Sequence, residues 1–173
     1  IYDLDRMADN MGKPFRTQDA LMIKKYPCCG GNHAMLDSLF SLMRDNDFTY
    51  EDVADAEIDQ SYFSVVMLYQ DPDDELKGKF SAKYNVAAAL VDGEIGIDTF
   101  TEEKIADGVI NETMGKVRTR VMAKAEELLT ESANGLKVKI TLKDGRAFEH
   151  TTAREDTLGS QKNPWGFDAI KEK

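Results

Sequence analysis

The stretch Lys24-Lys25-Tyr26-Pro27-Cys28-Cys29-Gly30-Gly31-Asn32-His33 concentrates the groups best suited to chemistry. Two ammonium groups precede a glycine-rich turn, and the turn opens onto a run with helical periodicity. The first N–H groups of a helix have no partner within it, and glycines let a ligand approach them closely, so such a turn suits a carboxylate or phosphate. Lys24 and Lys25 would add charge, Gly30 and Gly31 the close approach, and His33 stands in the first helical turn. A plainer reading uses the same residues: the glycines only turn the chain, the lysines are solvated, and His33 is a satisfied core histidine. The residues alone favour the plainer reading, because short glycine-containing turns before helices are common. A metal centre of Cys28, Cys29 and His33 is disfavoured, because adjacent cysteines do not easily face one tetrahedral ion and no fourth ligand follows at a matching spacing. His150 is far away in sequence, in an expected strand. No metal site and no cofactor is expected.

Lys79-Phe80-Ser81-Ala82-Lys83-Tyr84 is the second candidate. On a helix, Ser81 and Tyr84 would share a face. A tyrosine hydroxyl in a mainly apolar helix needs a hydrogen-bond partner, either structural or a substrate oxygen. Nothing resembles a Gly-x-Ser-x-Gly elbow, a P-loop or a dinucleotide fingerprint. The acidic residues are dispersed and are expected to form mostly a solvated face.

The elements that must position these groups are legible from pattern. Leu4, Met7, Ala8 and Met11 predict a first helix, closed by Gly12 and Pro14. Residues 18–26 look extended, with Leu21 and Ile23 on one side. Asn32 is a plausible N-cap for an amphipathic helix marked by Met35, Leu36, Leu39, Phe40 and Met43 and running to about Arg44. Residues 53–60 alternate as a strand, 62–70 are apolar and ambiguous, and Asp71-Pro72-Asp73-Asp74 breaks the chain. Phe80 to Leu90 predicts a largely buried helix stopped at Asp92-Gly93. Thr99 or Thr101 starts a short acidic helix. Val117, Thr119 and Val121 mark a half-buried strand, and 123–129 a helical turn or two. Leu136, Val138, Ile140 and Leu142, the Asp144-Gly145 turn and residues 146–152 form a β-hairpin. Pro164 opens a last helix, Trp165 to Ile170, still running at Lys173. Helices and strands mix without regular βαβ alternation, so the expected class is α+β, with a small sheet and a C-terminal hairpin.

With 173 residues, 42% apolar and 31% charged, the chain is long enough for one domain with a real core. A net charge of −10 argues against a general phosphate-backbone binder, so no nucleic-acid partner is expected. A small anion remains compatible, because a local basic cluster can act within an acidic surface. No apolar run is long enough to span a bilayer, and the first residues do not form a secretory signal. The chain begins with Ile rather than Met, which suggests a piece of something longer. Neighbouring cysteines cross-link almost nothing, so a reduced, cytoplasmic protein is the expectation.

The two stretches, in this order, carry a resemblance. Lys24 to His33 resembles the Lys-x-[Tyr/Phe]-Pro…His segment of the MmgE/PrpD family. Gly78 to Gly93, with Lys79-Phe80-Ser81, Tyr84 and Ala89-Leu90-Val91-Asp92-Gly93, resembles that family's Ala-Lys-Phe-Ser…Tyr…Ala-Leu-Leu-Asp-Gly segment. Phe100-Thr101-Glu102-Glu103, the strand after Lys116, the Leu142-Lys143-Asp144-Gly145 hairpin and Asn163-Pro164-Trp165 follow in the family's order. The resemblance covers nearly the whole chain, and its specificity lies in the ordered set rather than in one motif.

Members include 2-methylcitrate dehydratase, cis-aconitate decarboxylase and an iminodisuccinate epimerase, which need no metal and act on small di- and tricarboxylates. The resemblance implies that residues 1–173 are the smaller, C-terminal α+β domain. A large helical domain, absent here, would supply the main acid/base groups across a cleft. It implies that Lys24 and Tyr84 are catalytic, Lys24 binding a carboxylate or steadying enolate charge and Tyr84 donating a hydrogen bond or relaying a proton. His33, Ser81, Lys79, Gly30 and Gly31 would contribute to substrate binding, and Lys25 is the weaker lysine. The implied activity is that of a metal-independent lyase or isomerase abstracting a proton α to a carboxylate. The alternative is a non-catalytic carboxylate-binding or assembly module of the same fold. The expected partners are the carboxylate substrate and the helical domain, and the family is commonly dimeric, which allows a homodimer. The isolated chain is expected to fold without turnover.

Overall fold

A computed structural model describes residue 12 and residues 23–60, 69–121 and 135–172. Their strands form one four-stranded sheet, in the order β2-β1-β3-β4. β1 (Val53–Gln60) runs parallel to β2 (Val117–Val121) and antiparallel to β3 (Gly135–Leu142), which forms a hairpin with β4 (Ala147–Ala153). Val53, Ala56, Ile58, Val117, Val138, Ile140 and Leu142 are buried. Val53 and Ala56 are an odd number apart, yet both are buried. The register of β1 on β3 shifts between Val53 and Asp55, and this bulge resets the alternation. Other β1 and β2 positions carry charge, and Arg118 and Arg120 hold Asp55 and Asp59 at 2.5 and 2.7 Å.

Two helices matter most for the site. α1 (His33–Asp45) buries Met35, Leu36, Leu39 and Leu42 and packs on β4 and β3. Buried Ser38 donates its hydroxyl to the carbonyl of Leu136 at 3.0 Å and is hydrogen-bonded to the Thr152 hydroxyl at 2.9 Å, fixing the helix to the hairpin. α2 (Glu75–Lys79) is short, and the carboxylate of Asp74 caps it by accepting from the Lys77 N–H. α3 (Ala82–Asp92) is buried along most of its length; its alanines leave room for α1, β2 and a later helix to pack closely. α4 (Glu102–Ile105) starts at Thr101, whose hydroxyl accepts from the Lys104 N–H. α5 (Gly108–Met114) is capped by Asp107, and α6 (Phe167–Glu172) follows the hairpin. The α+β class expected from pattern is the class observed.

Several expectations need correction. Of the stretch 18–26 expected to be extended, residues 23 and 24 carry no regular structure, and 25–28 form bends. The Ile23 N–H is spent on Gly159 and the Lys24 amine on Cys28, which curls the segment. Asn32 occupies the N-cap position of α1 but makes no side-chain capping bond, and Gly30–Asn32 forms a 3-10 turn instead. Phe80 and Ser81 precede α3 rather than belonging to it. The last helix begins at Phe167, after Gly166, whose carbonyl accepts from the Ile170 N–H at 3.2 Å. α2 and α5 are too short to show a helical period in the sequence. One parallel crossover, β1 to β2, is present although the pattern of elements did not suggest it. The expected helix at 4–11, residues 18–22 of the extended stretch, the turn at 123–129 and most of the apolar run 62–70 lie outside the described residues.

Replacing Ser38 with Ala strips a buried carbonyl and hydroxyl of their shared partner. Urea denaturation should show a loss of about 1–3 kcal/mol at an unchanged m-value. A variant as stable as the parent would mean that this bond contributes nothing to docking α1.

Candidate functional site

The turn between Lys24 and α1 is built largely by hydrogen bonds to its own backbone. The Lys24 ammonium donates to the Cys28 carbonyl at 3.0 Å, and the Asn32 N–H donates to the Cys29 carbonyl at 2.9 Å. Tyr26 is buried against the core, stacked on Phe40 with ring centroids 5.7 Å apart and meeting the His33 ring edge-on at 5.3 Å. Its hydroxyl donates to Asp37 at 2.7 Å. Lys25 lies 3.7 Å from the same carboxylate and over the Tyr26 ring, so it serves the anchor rather than the turn. Lys24 is the exposed cation of the motif, whereas His33 is fully buried as the first residue of α1.

The second stretch is a helix start. Ser81 is fully buried and accepts from the Tyr84 N–H at 3.2 Å, satisfying one of the unpaired donors of α3. Asn85 donates its amide to the carbonyls of Gly78, at 2.9 Å, and Ser81, at 2.6 Å, stapling the bend between α2 and α3. Tyr84 is fully buried, and its hydroxyl donates to the Thr99 carbonyl at 2.6 Å. Lys79 is half-buried with its ammonium 5.8 Å from the centre of the Phe100 ring.

One main-chain bond brings the two stretches together: the Cys29 N–H donates to the Lys79 carbonyl at 2.9 Å. The glycine turn and the start of α3 are thereby neighbours, with Gly30 and Gly31 partly exposed beside the junction. Of the expected site residues, Lys24, Gly30, Gly31 and Lys79 reach solvent around it. His33, Ser81 and Tyr84 sit behind it as buried support.

The electrostatics disfavour nucleophilic chemistry at Cys28. Burial first, then the neighbouring Cys29, pushes the Cys28 thiol up to about 12, with Lys24 pulling the other way. Its thiolate is scarce at neutral pH, and the thiolate is the reactive form. Burial, followed by the charges of Asp92 and Asp107, holds Tyr84 above the usual tyrosine range. Burial and then Asp37 do the same to Tyr26. Among the described residues no three His, Cys, Asp or Glu side chains come together as a metal site. A groove of about 510 Å³ runs between Pro72–Glu75 and Glu102–Asn111. Asp73, Asp74, Glu75 and Glu102 line it, and this charge opposes a carboxylate ligand.

Asp37, Asn85 and Thr99 shape the site without having been singled out in the sequence. Asn85 sits four residues after Ser81, the spacing of a side chain reaching back to a helix start. Thr99 acts through its carbonyl, which no side-chain pattern reveals.

Tyr84→Phe should cost about 1–3 kcal/mol, because the buried Thr99 carbonyl loses its donor. A tyrosine whose folded-state titration is raised stabilises fully below the unfolded value of 10.0, and this contribution is lost as pH climbs above it. The parent should therefore lose stability above pH 10 more steeply than Tyr84→Phe, as read by denaturant midpoints across pH. Parallel profiles would show that the buried phenol does not resist ionisation.

The chain has no match among curated proteins. The model of the MmgE/PrpD C-terminal domain matches residues 26–173, well over half of the chain, beginning two residues after Lys24. No described helix is long and apolar enough to cross a membrane. The ordered motifs, the α+β fold and this match agree: the chain belongs to the MmgE/PrpD family, as its C-terminal domain.

Proposed function

We propose that this domain forms one wall of a carboxylate-binding active site in a metal-independent lyase or isomerase acting on small di- or tricarboxylates. The observation that carries the reading is the Cys29 N–H to Lys79 carbonyl bond, which sets a partly exposed glycine turn and an exposed lysine beside a second motif. In this reading Lys24 leaves the Cys28 carbonyl to pair with a substrate carboxylate, or steadies the negative charge that grows as a proton leaves the carbon α to it. Gly30 and Gly31 let the substrate approach the backbone. Tyr84, its hydroxyl already donated to Thr99, orients the start of α3 and relays no proton while that bond holds. The base that removes the proton comes from a separate helical domain across the cleft, in a cytoplasmic and commonly dimeric parent enzyme.

The rival reading, a carboxylate-binding or assembly module without catalysis, predicts binding without turnover. Full-length protein screened against 2-methylcitrate, cis-aconitate and related di- and tricarboxylates separates the two. For the substrate found, Lys24→Ala should lower kcat/KM roughly ten- to hundredfold, the loss of one charge-assisted contact. The change should leave stability within about 0.5 kcal/mol, since the side chain is exposed. Unchanged kinetics would remove Lys24 from the site, and binding with no turnover in the parent would favour the module.

A further inference from the structure

The segment carrying Lys24 is gripped from a distant part of the chain. After β4, residues 154–163 fold into a loop tied by its own bonds. The Gly159 N–H donates to the Asn163 carbonyl at 2.8 Å, the Asn163 amide to the Asp156 carbonyl at 3.0 Å, and the Ser160 N–H to the Thr157 carbonyl at 3.0 Å. Two contacts run from this loop to the residues around Lys24. The Ile23 N–H donates to the Gly159 carbonyl at 3.1 Å. The Leu158 N–H donates to one oxygen of Asp37 at 3.0 Å while the Tyr26 hydroxyl donates to the other at 2.7 Å. Lys24 lies between the two points of attachment.

Gly159 leaves no room for a substitute. Its φ is +94°, and a Cβ built there would stand 1.9 Å from the carbonyl oxygen of Ile23, the peptide group that leads into Lys24. That oxygen belongs to backbone and cannot swing aside as a side-chain tip would. We propose that residues 157–163, closed onto Ile23 by Gly159 and onto Tyr26 through Asp37, form a clasp that positions Lys24. Gly159 and Asp37 are its positioning residues. The inference deepens the carboxylate reading of Lys24 and rests on it for its functional meaning, but the clasp itself is testable without a substrate. It also gives the Asn163-Pro164-Trp165 stretch work: Asn163 closes the loop that holds Gly159.

The test uses full-length protein and three variants. G159A breaks the clasp. G145A carries the same kind of backbone penalty, φ +90°, at a hairpin turn with nothing within 4 Å of the added methyl, and serves as the control. D37N leaves one acceptor oxygen for the two donors and keeps the test decisive if G159A does not fold. Lysine acylation by an N-hydroxysuccinimide ester, read peptide by peptide by mass spectrometry, reports the freedom of each amine. Local opening of the clasp should speed acylation of Lys24 roughly threefold or more in G159A and D37N, with G145A unchanged and the lysines other than Lys25, which pairs with Asp37, unchanged throughout. Equal Lys24 rates in the parent, G145A and D37N would overturn the clasp. Citrate affinity forms the second arm, and a misplaced cation should weaken it roughly tenfold in G159A but not in G145A. A parent that binds neither citrate nor any carboxylate of the panel would sink the carboxylate reading, and Lys24 acylation would still decide the clasp.

Discussion

A buried or half-buried backbone donor must find an acceptor, and the Cys29 N–H finds the carbonyl of Lys79, fifty residues along the chain. The proposed site hangs on that pairing. It sets the glycine turn against the bend between two helices, and the bend holds its shape because Asn85 ties down two of its carbonyls and Ser81 caps the helix that follows. The turn in turn is held by Lys24 on Cys28 and by the 3-10 bond from Asn32 to Cys29. Moving either partner of the central bond would misplace both motifs, since each is braced internally and neither has slack to absorb the shift.

The scaffold behind this junction is rigid for ordinary reasons. α1 lies across the hairpin, held by apolar burial and by Ser38. α3 is rich in alanine and so can be enclosed by helices and sheet at close range. The polar groups His33, Ser81 and Tyr84 are buried, while Lys24 is exposed and the two glycines are partly so. A site built this way has its charge at the surface and its alignment in the core, where packing permits little drift.

The sequence shows the long elements well and the junction poorly. α1, β1, β2 and the hairpin follow from periodicity, because Leu36, Leu39, Val138 and Ile140 repeat at the spacing their element imposes. α2 and α5 are too short to show a period, and only their caps, Asp74 and Asp107, would have marked them. Spacing alone puts Ser81 on the helix with Tyr84, whereas it stands at the cap, because a hydroxyl can serve either place. The Cys29–Lys79 bond and the Tyr84–Thr99 bond use backbone atoms, which every residue has, so composition and spacing cannot announce them. Asp37 was hidden for another reason. Its partners Tyr26 and Leu158 lie on opposite sides of it in the chain, the second 121 residues away.

Membership of the MmgE/PrpD family and the α+β fold stand on the match and the architecture. The proposed site requires its two motifs to be one structure. The direct measurement is the scalar coupling between the Cys29 amide nitrogen and the Lys79 carbonyl carbon, observed by NMR through the hydrogen bond that joins them. A resolvable coupling, with the Cys29 amide slow to exchange with solvent, is the predicted result. No coupling, with a Cys29 amide that exchanges as freely as an exposed loop, would mean that the turn and the helix start are not held together.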